Sequence, residues 1–418
     1  MQTIISILGS AGGVAKSILS ILDKAYVTSD DPIHSMIRSS KLHFIDKKQR
    51  DLNYYKQWIP HLHPSVTLHQ LDLQRGDMLR QHLIDTQTTI VIDVSWADTV
   101  DMLECCNELG ISYINTALEN TSVDENERLE GFTLLERYLY FEKHRNRFTN
   151  TKAIVCSGMN PGVVQWMALQ LMEQAPGERP LACYIVEQDN SMYLDPSLIT
   201  PHTIYSTWSP ECFLDEAILN YPMFVRDGMP LFIYDDVYAL EFAVTLGSKK
   251  FHGCLMPHEE VLTLGKAFDM ETGFIYRVNE LTTNAIRTHL DQVDDIWNWN
   301  HKVLDPAVGA LEGEDLVGVL LVYKDKERYM YNVMDNKTIY ASYKTNATYF
   351  QVACGIYGAL AAMLLDNIPN GVHYVDELLL QTDTGYGQYL SRYMNHFVTG
   401  ENKETDGLLL KRLIKMNP

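Results

Sequence analysis

The sequence predicts an α/β fold: a doubly wound parallel sheet of the Rossmann type followed by a second, α+β domain. Three observations carry this reading. Six short β-branched runs alternate with helical patterns over the first 160 residues, a glycine-rich turn follows the first run, and beyond residue 160 the strand patterns crowd together. The boundaries that follow are 1–160 for a dinucleotide-binding domain, completed by helices from about 341–418, and 161–340 for a second, α+β domain.

The strands are read in order. "TIISILG" is the first, followed by a helix through "VAKSILSILDKA"; "KLHFIDK" is the second, "VTLHQLDL" the third, "TTIVIDVS" the fourth, "ISYINTA" the fifth and "KAIVCSG" the sixth. Between the first helix and the second strand, "YVTSDDPIHSMIRSS" exceeds a minimal connection and reads as an added helix or a surface insertion. In the second domain "PLACYIVEQD", "LEFAVTL", "FIYRV", "LVGVLLVYK" and "RYMYNVM" have strand character, several of them suited to antiparallel pairing. "TNATYFQVACGIYGALAAMLLDN" then reads as a long buried helix whose Ala and Gly residues permit close packing.

Composition narrows the function. The 418 residues are 46% hydrophobic, enough for a substantial core and for two domains. The longest apolar run, "VACGIYGALAAMLL", is shorter than the roughly 20 residues of a membrane span, and the N-terminus lacks the basic region of a signal peptide, so a cytoplasmic protein is expected. Seven scattered cysteines without a Cys-x-x-Cys pair predict reduced thiols, and neither His61/His63 nor His252/His258 has zinc-motif spacing, so no metal is expected. With 34 Lys plus Arg against 54 Asp plus Glu, the net charge of −20 repels nucleic acid and favours small cations.

"ILGSAGGVAKSIL" sets Gly9, Gly12 and Ala15 in a Gly-x-x-Gly-x-x-Ala pattern between the first strand and the first helix. A glycine turn brings backbone close to a pyrophosphate, whose charge suits the helix N-terminus. Gly9, Ser10, Gly12, Gly13 and Val14 are therefore candidate cofactor residues. Asp46, ending the second strand, can accept hydrogen bonds from ribose hydroxyls and repels a 2′-phosphate, which favours NAD; Lys47 and Lys48 keep NADP as the minority reading. Lys16 does not make a phosphate loop for ATP, because Gly-Lys-Ser/Thr is missing. Further candidates stand after the later strands: Asp93 and Ser95, then Asn115, Thr116 and Glu119, then Asn160 and Pro161. Asn160-Pro161-Gly162 also reads as an ordinary capped turn.

"TWSPECFLDEAILNYP" follows a tryptophan with three carboxylates, Glu211, Asp215 and Glu216. One reading is a helix start, with Ser209 as N-cap, Pro210 at the first position and acids at the positive end of the dipole. The other is a site for an organic cation, held by the indole face and a carboxylate. Helical spacing puts Glu211 and Asp215 on one face and turns Glu216 away, with Phe213, Leu214, Ala217, Ile218 and Tyr221 as the apolar face.

"SGMNPGVVQWMALQLM", "YIVEQD", "TWSPECFLDEA", "CLMPHEEVLTL", "EDLVGVLLVYKDKERYMYNV" and "TNATYFQVACGIYGALAAMLLDNIPNGVHYVDEL" resemble, in this order, the successive motifs of bacterial-type homospermidine synthase, within the saccharopine dehydrogenase-like group. The resemblance implies NAD-dependent aminobutyl transfer: putrescine is oxidised to an imine, a second diamine forms a Schiff base at that carbon, ammonia leaves, and the same NADH reduces the product. It implies that Trp208 faces a cationic substrate and Glu216 anchors an ammonium. Asn160, Glu187, Asp93 and His258 are further catalytic candidates, Asp93 or His258 as proton acceptor. The partners implied are putrescine, with spermidine as a second candidate, and a second copy of the chain in a homodimer. The chain is shorter than is usual in that family, and the stretch from Trp208 to His258 is condensed.

Two alternatives stand beside it. A carboxyspermidine dehydrogenase or saccharopine reductase would need an arginine for the substrate carboxylate, for which Arg226 and Arg277 are the nearest candidates. A non-catalytic NAD-bound sensor or scaffold would keep the fold without the chemistry.

Overall fold

The computed structural model describes residues 2–415. The first domain is built on a seven-stranded, wholly parallel sheet. Its strands β1 (Ile4–Leu8), β2 (Lys41–Asp46), β3 (Val66–Gln70), β4 (Ile90–Asp93), β5 (Ser112–Asn115) and β6 (Lys152–Val155) match the six sequence runs. The seventh, Gly371–Tyr374, was not anticipated: it pairs with β6 at the sheet edge after a return of more than two hundred residues. The order is Gly371–Tyr374, β6, β5, β4, β1, β2, β3. The order in which strands are added therefore switches sides between β1 and β4, the crevice where a doubly wound sheet offers its loops.

Packing follows from the sequence. All five residues of β1 are buried, as a parallel strand covered on both faces requires. Helix α1 (Gly13–Val27) lies against the 19-residue helix Ala347–Leu365, whose Ala and Gly residues permit the close approach. That helix is long and apolar enough to cross a bilayer by length alone, but 72% of its apolar window is buried in the core. The insertion after α1 forms the short helix His34–Ser39.

The second domain is a mixed ten-stranded sheet. Strand β7 (Ala182–Asp189) lies at its centre, parallel to Glu271–Arg277 and antiparallel to Glu314–Val322; the hairpin Leu240–Leu246/Lys249–Met256 and the strand Glu327–Asp335 extend the two sides. The boundary drawn from sequence gave the closing segment to the first domain. Strand pairing divides it instead: Gly371–Tyr374 joins the first sheet, whereas Val398–Asn402 and Leu413–Lys415 extend the second. All seven cysteines are free thiols.

Three histidines from three elements meet at the edge of the first sheet. His43 Nδ1 lies 2.9 Å from His69 Nε2, and the His82 ring is 4.4 Å from that of His69. Burial, then the neighbouring rings, hold His82 down at about 4, and Lys41 adds to the like charge facing His43. Only Asp85 acts in the opposite direction on His82. A histidine with a depressed folded-state value contributes stability that is full above about 6.5 and is lost as pH falls through about 4. A His82→Gln variant should accordingly show a flatter fall in melting temperature between pH 6.5 and 4 than the parent; equal slopes in thermal melts would contradict the assignment.

Candidate functional site

A cleft of about 240 Å³ opens where the C-terminal ends of the first sheet's strands face β7 of the second. The loops after β1, β4, β5 and β6 supply one wall: Gly12, Gly13 and Val14, then Ser95, then Thr116 and Glu119, then Asn160 and Pro161. The other wall carries Glu187, Trp208, Cys212, Glu216, His258, Glu259 and Phe274, while Thr348 and Tyr349 enter from the helix Ala347–Leu365.

The glycine turn is shaped for close approach. Gly9 has φ +72°, and a Cβ there would stand 2.7 Å from the Val94 carbonyl oxygen. At Gly13 a Cβ would fall 2.1 Å from the Tyr349 ring. Helix α1 starts with Gly12 as N-cap, no side chain capping it and no acidic residue in its first turn, so its N–H groups are left for a ligand. Asp46 Oδ2 accepts from Ala11 N and Oδ1 from Lys48 N, each at 2.9 Å, which fixes the carboxylate beside the turn. Asp46, Lys48 and Arg50 line a separate small cavity of about 70 Å³ at the end of β2. This arrangement fits the pyrophosphate and adenosine ribose of a dinucleotide. Ser10 is fully buried and bonded to Tyr55 OH at 2.9 Å; like Gly9, it shapes the turn without lining the cleft.

Two predicted residues take other roles. Asp93 is buried and does not itself line the cleft: it accepts from Ser95 N at 3.0 Å, Ser95 Oγ at 2.6 Å and Tyr113 OH at 2.9 Å, an arrangement that holds the loop after β4. Asn160 is not a helix cap. The following helix, Val163–Glu173, begins at Gly162, and the Asn160–Pro161 peptide is cis. Its freed amide donates to Glu187 Oε2 at 2.6 Å.

The helix Pro210–Ile218 starts as predicted, with Ser209 Oγ accepting from Cys212 N at 3.2 Å. Helical spacing alone sets Glu216 off the apolar face and away from Glu211 and Asp215, while the resemblance puts it in a site; it is buried, on the same stripe as Cys212, which faces the cleft. The helix is enclosed on two sides, the core beneath Phe213, Leu214 and Ala217 and the cleft beside Cys212 and Glu216, so a single apolar stripe did not describe it. Asp215 is drawn off to Arg137 at 2.9 Å and Glu211 is half exposed.

Charge dominates the site. Glu119, Glu187, Glu216 and Glu259 line one cavity with Arg137 and His258. Burial pushes Glu187 and Glu216 up to about 8 each, against the hydrogen bond from Asn160 and the charge of His258 respectively. Burial likewise raises Glu119 to about 8, against Arg137. Burial alone would lower His258, but Glu260 and Glu216 outweigh it and raise the imidazole to about 10. Its Nδ1 lies 2.5 Å from Glu260 Oε2 and its Nε2 3.9 Å from Glu216 Oε2. That Glu216 oxygen is buried without a hydrogen-bond partner. Trp208 donates Nε1–H to Tyr276 OH at 3.3 Å and packs edge-on to Phe213, which fixes its plane.

Sequence reasoning missed Arg137, Glu259, Thr348 and Tyr349. Arg137 sits inside a helix in a charged, polar stretch, and no local pattern sets it apart. It pairs with Asp124 at 3.2 Å and Asp215 at 2.9 Å, leaving its Nε buried without a partner. Arg226 and Arg277 lie elsewhere, paired with Glu271 and with Glu241 and Glu280. His258, Glu259 and Glu260 are close enough for a metal ion, but the first and last already bond each other.

Comparison with known proteins adds the fold. No protein-family profile matches the chain, and no curated protein is similar to it in sequence. Among solved structures, apo saccharopine dehydrogenase (L-Glu forming) from Saccharomyces cerevisiae aligns over 95% of this chain and 100% of its own, at TM-score 0.56 and 10% identity. The chain shares that fold: a parallel Rossmann-like sheet with a second, mixed-sheet domain. A myo-inositol dehydrogenase from Corynebacterium glutamicum aligns over 96% of this chain and 99% of its own at TM-score 0.37 and 8% identity, too low to weigh.

A buried carboxyl raised above its unfolded value contributes stability that is full below about 4.5 and is lost as pH rises through about 8. Glu216→Gln removes one such group. Melting temperature should decline less in this variant than in the parent between pH 5 and 9, by a few degrees; parallel declines would show that Glu216 is not the titrating group.

Proposed function

We propose that this protein is an NAD-dependent oxidoreductase acting on diamines, which joins two of them as a homospermidine synthase does. The observation that carries the reading is the buried Glu216 oxygen, without a hydrogen bond and only 3.9 Å from His258, in a cleft that also holds Trp208 and three further glutamates. An ammonium group completes such a site, being attracted both to a carboxylate and to an indole face. A carboxylate substrate would meet like charge.

The glycine turn from Gly9 to Val14 and Asp46 would hold the adenosine and pyrophosphate, and Ser95, Thr116, Asn160 and Pro161 the nicotinamide half. When bound, NAD supplies a hydride acceptor at an amine-bearing carbon and, as NADH, returns the hydride to the later Schiff base. The balance is two putrescines to one homospermidine and one ammonia. One C–N bond forms between the second amine and the oxidised carbon, and the bond to the first nitrogen breaks.

The chain's part is to place cations and move protons. Glu216 with Trp208 holds the distal ammonium and so sets which carbon reaches the cofactor. The reacting amine must first become neutral, and Glu187, oriented by Asn160 and poised near 8, is suited to take up that proton. His258 remains an imidazolium at neutral pH, so its role is to donate a proton to the departing nitrogen. The cleft then keeps water from the Schiff base between oxidation and reduction.

Arg137 favours one other reading. Its buried, unpartnered Nε is suited to a carboxylate oxygen, as a carboxylated amine substrate would offer. Mass-spectrometric product analysis with NAD and putrescine separates the two. Homospermidine and ammonia should form in the parent and fall by roughly 10²-fold or more in Trp208→Ala and Glu216→Gln, the scale of losing a positioning contact. A polyamine product undiminished by either change would overturn the site. No product from diamines, with turnover of a carboxylated imine and NADH, would select the second reading.

A further inference from the structure

Trp96 is the one large aromatic side chain of the cleft that stands in solvent, with 60% of its surface exposed. Among the described residues its indole has no ring, cation or hydrogen-bond partner. Single exposed aromatics are common and need no explanation by themselves. This one differs because the backbone on either side is held firmly while the side chain is left free. Ser95 is bound through N and Oγ to Asp93, Ala97 N donates to Ser95 Oγ at 3.2 Å, and Thr99 N donates to the Glu119 carbonyl at 3.0 Å. Asp98 accepts from both Thr121 N and Oγ1 at 2.7 Å. The loop presents the indole; it does not merely tolerate it.

The presented side faces the cofactor half of the cleft. Trp96 lines it together with Gly12, Gly13, Ser95 and Thr116, and the Val94 carbonyl one step before Ser95 closes on Gly9. We infer that Trp96 is a cover for the bound dinucleotide, its ring closing over the nicotinamide half and slowing release of the cofactor. This rests on the dinucleotide reading above and adds a residue to it. A flat apolar surface laid on a ribose or nicotinamide gains by stacking and by excluding water, and a rigid backbone lowers the entropy lost on closure. Slow release suits a reaction whose oxidised and reduced halves use one cofactor molecule: NADH lost between them strands an imine.

The test is stopped-flow release of NADH from the full-length protein, chased with excess NAD, alongside tryptophan-to-NADH energy transfer. Trp96→Ala should release NADH roughly tenfold faster, the scale of one lost stacking contact. Trp96→Phe should retain slow release while losing part of the energy transfer. Thermal melting checks that both variants fold. Unchanged release from a folded Trp96→Ala variant would overturn the cover and leave the dinucleotide site standing. Failure of the parent to bind NADH would overturn that site, and the cover with it.

Discussion

Burial of negative charge is the constraint on which the rest of the site depends. Glu119, Glu187, Glu216 and Glu259 share one enclosed cavity, with Asp189 and Asp315 immediately behind it. Ionised carboxylates out of water are costly unless paired or hydrogen-bonded. The surrounding structure meets this in three ways. Arg137 and His258 bring cationic charge, Asn160 supplies a donor to Glu187, and hydroxyls of Thr207 and Thr348 bind Asp189 and Asp315. At Glu216 the compensation is incomplete: Oε2 has no hydrogen-bond partner and lies 3.9 Å from His258 Nε2.

The two sheets divide this task. The parallel sheet contributes backbone: N–H groups at α1, tight turns after β4 and β5, and the rigid segment at Asn160–Pro161. Such groups suit a phosphate-bearing ligand. The mixed sheet contributes side chains, with β7 carrying Glu187 and Asp189 on alternate positions of its inward face and the helix Pro210–Ile218 carrying Glu216. A wall of backbone turns and helix N–H groups thus faces an acidic wall, with Thr348 and Tyr349 at the seam.

Much of the fold was legible because short-range chemistry specified it. The six strand runs, the glycine turn and the Ser209-Pro210 cap each depend on neighbours within a few residues. What was not legible depended on distant partners. The strand Gly371–Tyr374 lacks the β-branched run that marks β4 and β6, and it is ordered by pairing with β6. Helical spacing left Glu216 off the apolar face, and only the resemblance put it in a site, because periodicity describes one buried face, whereas this helix has two. Asn160 read both as a cap and as a site residue; it lines the cleft, and its acceptor, Glu187, comes 27 positions later, beyond the reach of a local pattern. Asp93 was a base candidate through the resemblance alone, and its three donors fit the turn former that a strand-end carboxylate often is. Arg137 carried no signal at all.

The helix Ala347–Leu365 ties distant parts of the chain together. Tyr349 closes over Gly13, Ser20 Oγ bonds the Tyr343 carbonyl at 2.7 Å, and Tyr357 OH bonds Asp31 at 2.8 Å. One face of α1 is therefore covered by a segment more than 320 residues further along. The turn from Gly9 to Val14, local in sequence, is closed by a residue from the far part of the chain, so a change at Tyr349 bears on the turn as directly as one at Gly13.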